Sequence, residues 1–63
     1  MEKVSERHLK ALRTAEKLEH GESAAINRQD AEECENKGWL EAQPKGGYRL
    51  TTEGRKALRE ATG

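Results

Sequence analysis

Twenty-one residues in the second half of the chain, Gly38 to Leu58, read GWLEAQPKGGYRLTTEGRKAL. They constrain the fold more than any other stretch. Leu40 and Ala42 alternate with Trp39, Glu41 and Gln43, and Tyr48 and Leu50 fall together on a second arm. A period of two marks strands. Between the arms Pro44 fixes φ, and Gly46-Gly47 permits positive φ, which makes 44–47 a turn. The pattern predicts a β-hairpin with arms 39–42 and 48–51. Thr51 or Thr52 then caps a helix over 52–61 that buries Ala57, Leu58 and Ala61. Gly54, inside that helix, costs about 1 kcal/mol relative to Ala. Such a glycine usually permits a close backbone approach.

Two further helices precede the hairpin. In SERHLKALRTAEKLEHG, Ser5 is a good N-cap and Gly21 suits the left-handed position after the last turn. Val4, Leu9, Ala11, Leu12, Ala15 and Leu18 fall on one half of the wheel, which predicts a helix over 5–20. His8 and Glu19 lie inside that apolar arc, as a rim histidine and a helix-end glutamate. In INRQDAEECENKG, Asn27 is a favoured N-cap and Asp30 stands where the acidic half of a capping box belongs. Ile26 and Ala31 would form a small hydrophobic staple. Gly38 closes a helix over 28–37. Ala31 and Cys34 mark its buried stripe, and Gln29, Glu32, Glu33 and Asn36 lie opposite. Residues 24–26, between the helices, are the expected third strand, pairing beside 48–51.

Composition narrows what such a chain can do. Sixty-three residues make one domain, 1–63, and eight of its twenty apolar residues are Ala. About a dozen larger side chains, Met1 among them, must supply the core, so a homodimer or another partner would help to cover it. The one Cys excludes an internal disulfide and fits a reducing cytoplasm. No apolar run approaches the roughly 18 residues of a membrane span, and no signal-peptide core is visible. His8 and His20 are twelve residues apart, about 18 Å along one helix, so they cannot share a metal ion. There is no Cys-x-x-Cys or His-x-x-x-His spacing, no nucleophile–base pair and no phosphate-binding glycine loop. Neither a cofactor nor a metal is expected, nor an enzyme. Cys34 reads as a small core residue.

The residues KGWLE, GGYRLTTEGRKAL and, more loosely, INRQDAEECENK together resemble the winged-helix (winged helix-turn-helix) family. The resemblance covers residues 26–61, with the first helix as the packing helix. It implies an α+β, mainly helical fold: three helices with a two- or three-stranded antiparallel wing. Trp39 would occupy the place of the family's usual core Leu. The family normally has two helices between the packing helix and the wing, and residues 22–37 hold only one, so this is a trimmed form. The resemblance implies binding to duplex DNA, with 28–37 as the recognition helix and 43–48 as the wing. Arg28 and Gln29 would then stand at the helix start, where Arg suits guanine and Gln suits adenine. Asn36 lies on the same outward face. Lys45 would be the wing tip, and Arg49, Arg55, Lys56 and Arg59 would meet phosphates.

The charges pull the other way. The whole chain carries twelve basic and twelve acidic side chains. Residues 1–21 carry +1, residues 22–43 carry −4 and residues 44–63 carry +3. DNA affinity comes largely from neutralising phosphates. The sequence pattern puts Glu32 and Glu33 outward on the second helix, flanked by Asp30 and Glu35, where they would repel DNA. The competing expectation is a protein-interaction module in which Glu32, Glu33 and Asn36 meet a partner with a basic surface.

Overall fold

A computed structural model of the chain describes residues 4–62. Its elements run α1 (Glu6–Glu19), α2 (Arg28–Asn36), β1 (Leu40–Ala42), β2 (Tyr48–Leu50) and α3 (Thr52–Thr62). This is a small α+β fold, mainly helical, with one two-stranded antiparallel sheet.

The helix ends follow their capping residues. Ser5 Oγ accepts from the His8 N–H at 3.3 Å and starts α1. Asn27 Oδ1 accepts from the Asp30 N–H at 3.1 Å and starts α2. Both helices close the same way, through a glycine in the left-handed region (Gly21 φ 83°, Gly38 φ 82°). At α2 the Trp39 N–H reaches back to Cys34 O at 2.9 Å, and Gly38 N–H to Glu35 O at 3.0 Å. That pair of bonds is a Schellman motif, and it sets the direction in which the chain leaves the helix.

The hairpin pairs Leu40 with Leu50, Glu41 with Arg49 and Ala42 with Tyr48. Bonds from Thr51 N–H to Trp39 O and from Gln43 N–H to Gly47 O, each 3.0 Å, extend the ladder at both ends. Thr51 joins the hairpin to α3. Its hydroxyl donates to Gly38 O at 2.5 Å and accepts from the Gly54 N–H at 2.9 Å, capping the helix. Gly54 is required by what lies above it: a Cβ there would stand 2.0 Å from the Trp39 carbonyl oxygen. The close approach expected of that glycine is α3 backbone against the start of the hairpin.

The core is one cluster of Ala11, Leu12, Ala15, Ala31, Cys34, Trp39, Leu40, Leu50, Ala57 and Leu58, with Val4, Leu9, Ile26 and Tyr48 packed at its edge. Trp39 is 8 % exposed, so the burial expected of it is observed. Leu12 and Cys34 are completely enclosed. Met1, a candidate core residue, lies outside the described residues.

Two expectations fail. Ala61 is exposed, because α3 extends past the end of the cluster and only Gly54, Ala57 and Leu58 face it. Residues 24–26 form no strand. In the alternating pattern of an antiparallel pair, the Leu50 N–H points away from β1, toward where a third strand would lie. It donates instead to Glu19 Oε2 at 3.4 Å. Glu19 is held in turn by the Arg55 guanidinium. A side chain from the end of α1 thus occupies a backbone donor that the third strand would need.

Among the described residues, no helix is long and apolar enough to cross a membrane.

Candidate nucleic-acid interface

Helix α2 has two unlike long faces. Asp30, Ala31 and Cys34 are buried. Arg28, Gln29, Glu32, Glu35 and Asn36 are exposed, and the Arg28 side chain is 88 % accessible. Arg28 Nε lies 3.3 Å from Glu32 Oε1, a pair one helical turn apart. Exposed pairs of this kind contribute only about 0.3–0.5 kcal/mol, so either side chain is easily drawn away.

The acidic residues of α2 do not share one face. Asp30, only 13 % exposed at its side chain, accepts two hydrogen bonds from Arg7 of α1, from Nε at 3.0 Å and Nη2 at 2.7 Å. This corrects its expected role in a capping box: the carboxylate reaches across to α1, while its backbone N–H is capped by Asn27. Glu33 is corrected as well. It turns toward α1, where Oε1 meets His8 Nε2 at 2.6 Å and Oε2 lies 3.7 Å from Arg7. The hydrogen bond from His8 holds the Glu33 carboxyl below the usual carboxylate range; Arg7 adds to this, against the opposing effect of burial. The hydrogen bonds to Asp30, with the charges of Asp30 and Glu33, raise the Arg7 guanidinium above its ordinary value.

These contacts make a polar seam along α1 and α2. His8 also presents its ring edge-on to Trp39, with centroids 6.0 Å apart and planes at 71°. Lys37 Nζ stands 5.5 Å from the Trp39 ring centroid, within cation–π range. The two polar residues inside the apolar arc of α1 are therefore both tied across to other elements, His8 to Glu33 and Glu19 to Arg55. Cys34 lies behind the seam, its Sγ 3.8 Å from His8 O. Burial pushes its thiol up to about 11, and the charges of Asp30 and Glu33 add to the shift. A thiol so protonated is a poor nucleophile.

The hairpin supplies two of the other expected contacts. Lys45 is exposed in the turn, and Arg49 is exposed on β2, directly across from Glu41. Arg55 is placed differently. It lies on α3 beside α1, its guanidinium bound to Glu19, in a group with Arg13 and Arg59. Arg7 lies on the α2 side of α1, whereas Arg13 and Glu16 lie on the α3 side. The basic residues expected to meet DNA thus divide into Arg28, Lys45 and Arg49 on α2 and the hairpin, and Arg55, Lys56 and Arg59 on α3, of which Arg55 and Arg59 border α1.

Sequence reasoning missed Arg7, the residue that neutralises the inward side of α2. The available clue was the pair of polar side chains, His8 and Glu19, on an otherwise apolar arc. Among the described residues, no group of three or more His, Cys, Asp or Glu side chains could hold a metal ion. Comparison with known protein families, characterised proteins and solved structures gave no match.

Proposed function

We propose that the chain is a trimmed winged-helix module that binds duplex DNA, with α2 as its recognition helix and residues 43–48 as its wing. The observation that carries this reading is the inward turn of Asp30 and Glu33. Four carboxylates on α2 would repel phosphates, but two of them are already paired with Arg7 and His8. The outward side left over is Arg28, Gln29, Glu32, Glu35 and Asn36, so two of the four carboxylates remain exposed, and of these Glu32 is itself paired with Arg28. Arg28 and Gln29 serve base edges, Asn36 lies a helical turn or two further on, and Lys45 and Arg49 serve phosphates. The same turn weakens the protein-docking reading, since Glu33 is no longer part of an outward acidic surface. The reading places the protein in a reducing, DNA-containing compartment, the cytoplasm.

Affinity should be low. Two phosphates neutralised by Lys45 and Arg49 give a salt slope of about 1.8, so a fourfold rise in salt costs roughly 12-fold in affinity. Non-specific binding at physiological salt should be near 10⁻⁴ M, to order of magnitude, or weaker. Useful specificity then needs a second copy or a larger assembly. The test is an amide chemical-shift titration of the isotope-labelled chain with mixed-sequence duplex DNA at low and moderate salt. Expected are shifts at residues 27–29, 36 and 45–49 that shrink as salt rises. No shifts at low salt, or shifts confined elsewhere, would overturn the proposal.

A further inference from the structure

The side of α1 away from α2 holds a second charged feature. Helices α1 and α3 border an open cavity of about 330 Å³, lined by Arg13, Glu16, Arg55, Leu58, Arg59 and Thr62. Half of these residues are arginines. Glu19 engages Arg55, fixing one guanidinium at the end of the groove. Among the described residues, Arg13 and Arg59 have no ion-pair partner, and both are exposed. They flank the groove from opposite helices, one on α1 and one on α3. Neither takes part in the core, in a cap or in the seam to α2.

The geometry points to this groove as a docking site for an acidic helical segment of a partner protein. Charge complementarity sets the chemistry. Guanidinium groups pair with carboxylates through two parallel N–H bonds, and Arg13 and Arg59 offer that fork from both walls. One exposed pair of this type adds little, so a lone carboxylate would not be held. A segment with several carboxylates engages both walls at once. Two neighbouring helices also leave a channel into which a third helix fits, with Leu58 and the arginine stems as its floor. A nucleic-acid backbone is the poorer occupant. Glu16 lines the same groove, and a continuous row of phosphates could not avoid it, whereas a peptide can place a donor there. This inference goes beyond DNA binding and does not rest on it, since it uses neither α2 nor the hairpin.

The test uses the full chain, isotope-labelled, and three probes: an amphipathic peptide of about 14 residues built from Glu, Leu and Ala, long enough to span α1; the same peptide with every Glu replaced by Gln; and a short DNA duplex. Expected are saturable shifts at Arg13, Glu16, Leu58, Arg59 and Thr62 with the acidic peptide only, and a loss of at least about tenfold in affinity for the Gln peptide. The double variant Arg13→Gln/Arg59→Gln should lose at least about tenfold in peptide affinity while its folded state, read by circular dichroism, and its DNA response at α2 are kept. Salt dependence of the wild-type titration gives an answer that needs no variant. The inference is overturned if the acidic peptide leaves the groove unperturbed, if the Gln peptide binds equally well, or if the duplex moves the groove residues instead.

Discussion

Two seams join the helices of this protein to the rest of it, and they are built from opposite materials. Between α1 and α2 the contact includes charged side chains: Arg7 with Asp30, and His8 with Glu33. Between α3 and the hairpin it is backbone on backbone, with Gly54 lying under the Trp39 carbonyl and Thr51 bonded to Gly38 O. Side chains can rotate, exchange partners or meet water when one of them is lost. A backbone contact with no room for a methyl group has no such adjustment. The polar seam should therefore be tunable by pH and substitution, and the backbone seam should tolerate almost nothing.

The largest effect expected is from Gly54→Ala. The added Cβ would stand 2.0 Å from Trp39 O, so α3 or the hairpin must move. The gain in helix propensity, about 1 kcal/mol, cannot offset that displacement. A domain this small has little stability to lose, so thermal melting by circular dichroism should show Gly54→Ala unfolded or nearly so. A variant as stable as the parent would show that the close approach is not required. Leu12→Ala comes next. Leu12 is fully enclosed where α1 meets the core. Its truncation should cost about 2–5 kcal/mol, measured by urea unfolding.

Substitutions in the polar seam should cost less, and their effect should depend on pH. The Glu33 carboxyl has its pKa lowered in the folded chain from an ordinary value of 4.5. Its contribution is thus present above 4.5 and lost as pH falls through the lower folded value. The melting temperature of the parent chain should drop across that acidic window, and Glu33→Gln should flatten the drop while being the less stable at neutral pH. Equal pH profiles for the two would break the contrast between the seams. The smallest effect is a rate. Cys34, with its thiol at about 11 and no exposed surface, should react with a disulfide reagent only through opening of the fold. Labelling should be slow in the parent and fast in Gly54→Ala.

The hairpin seam was legible in the sequence, and the polar seam was not. Gly38, Gly46, Gly47 and Thr51 each act within a few residues of their own position, through a turn or a cap, and Gly54 stands out as a glycine inside a helix although its contact, Trp39, is 15 residues earlier. Local chemistry of that kind can be read directly, and so can the N-caps Ser5 and Asn27. Asp30 and Glu33 depend on residues 23 and 25 positions away. With only Ala31 and Cys34 to mark the inward side of α2, the wheel did not show which flank faced α1. Glu33 was consequently expected to point outward. The missing third strand has the same origin: the Leu50 N–H is taken by Glu19, 31 residues earlier in the chain.

In the proposed reading, α2 meets DNA with a face from which Asp30 and Glu33 have been withdrawn, leaving Glu32, paired with Arg28, and Glu35 as its exposed carboxylates. The most direct measurement compares the DNA affinities of Glu32→Gln and Glu33→Gln by titration at low salt. Removing Glu32 releases Arg28 and deletes a charge near the phosphates, so affinity should rise roughly threefold to fivefold. Removing Glu33 deletes a carboxylate that is turned toward α1, bonded to His8 and beside Arg7, so affinity should stay level or fall. Equal strengthening by both substitutions would contradict the claim, because it would place Glu33 on the face that meets DNA.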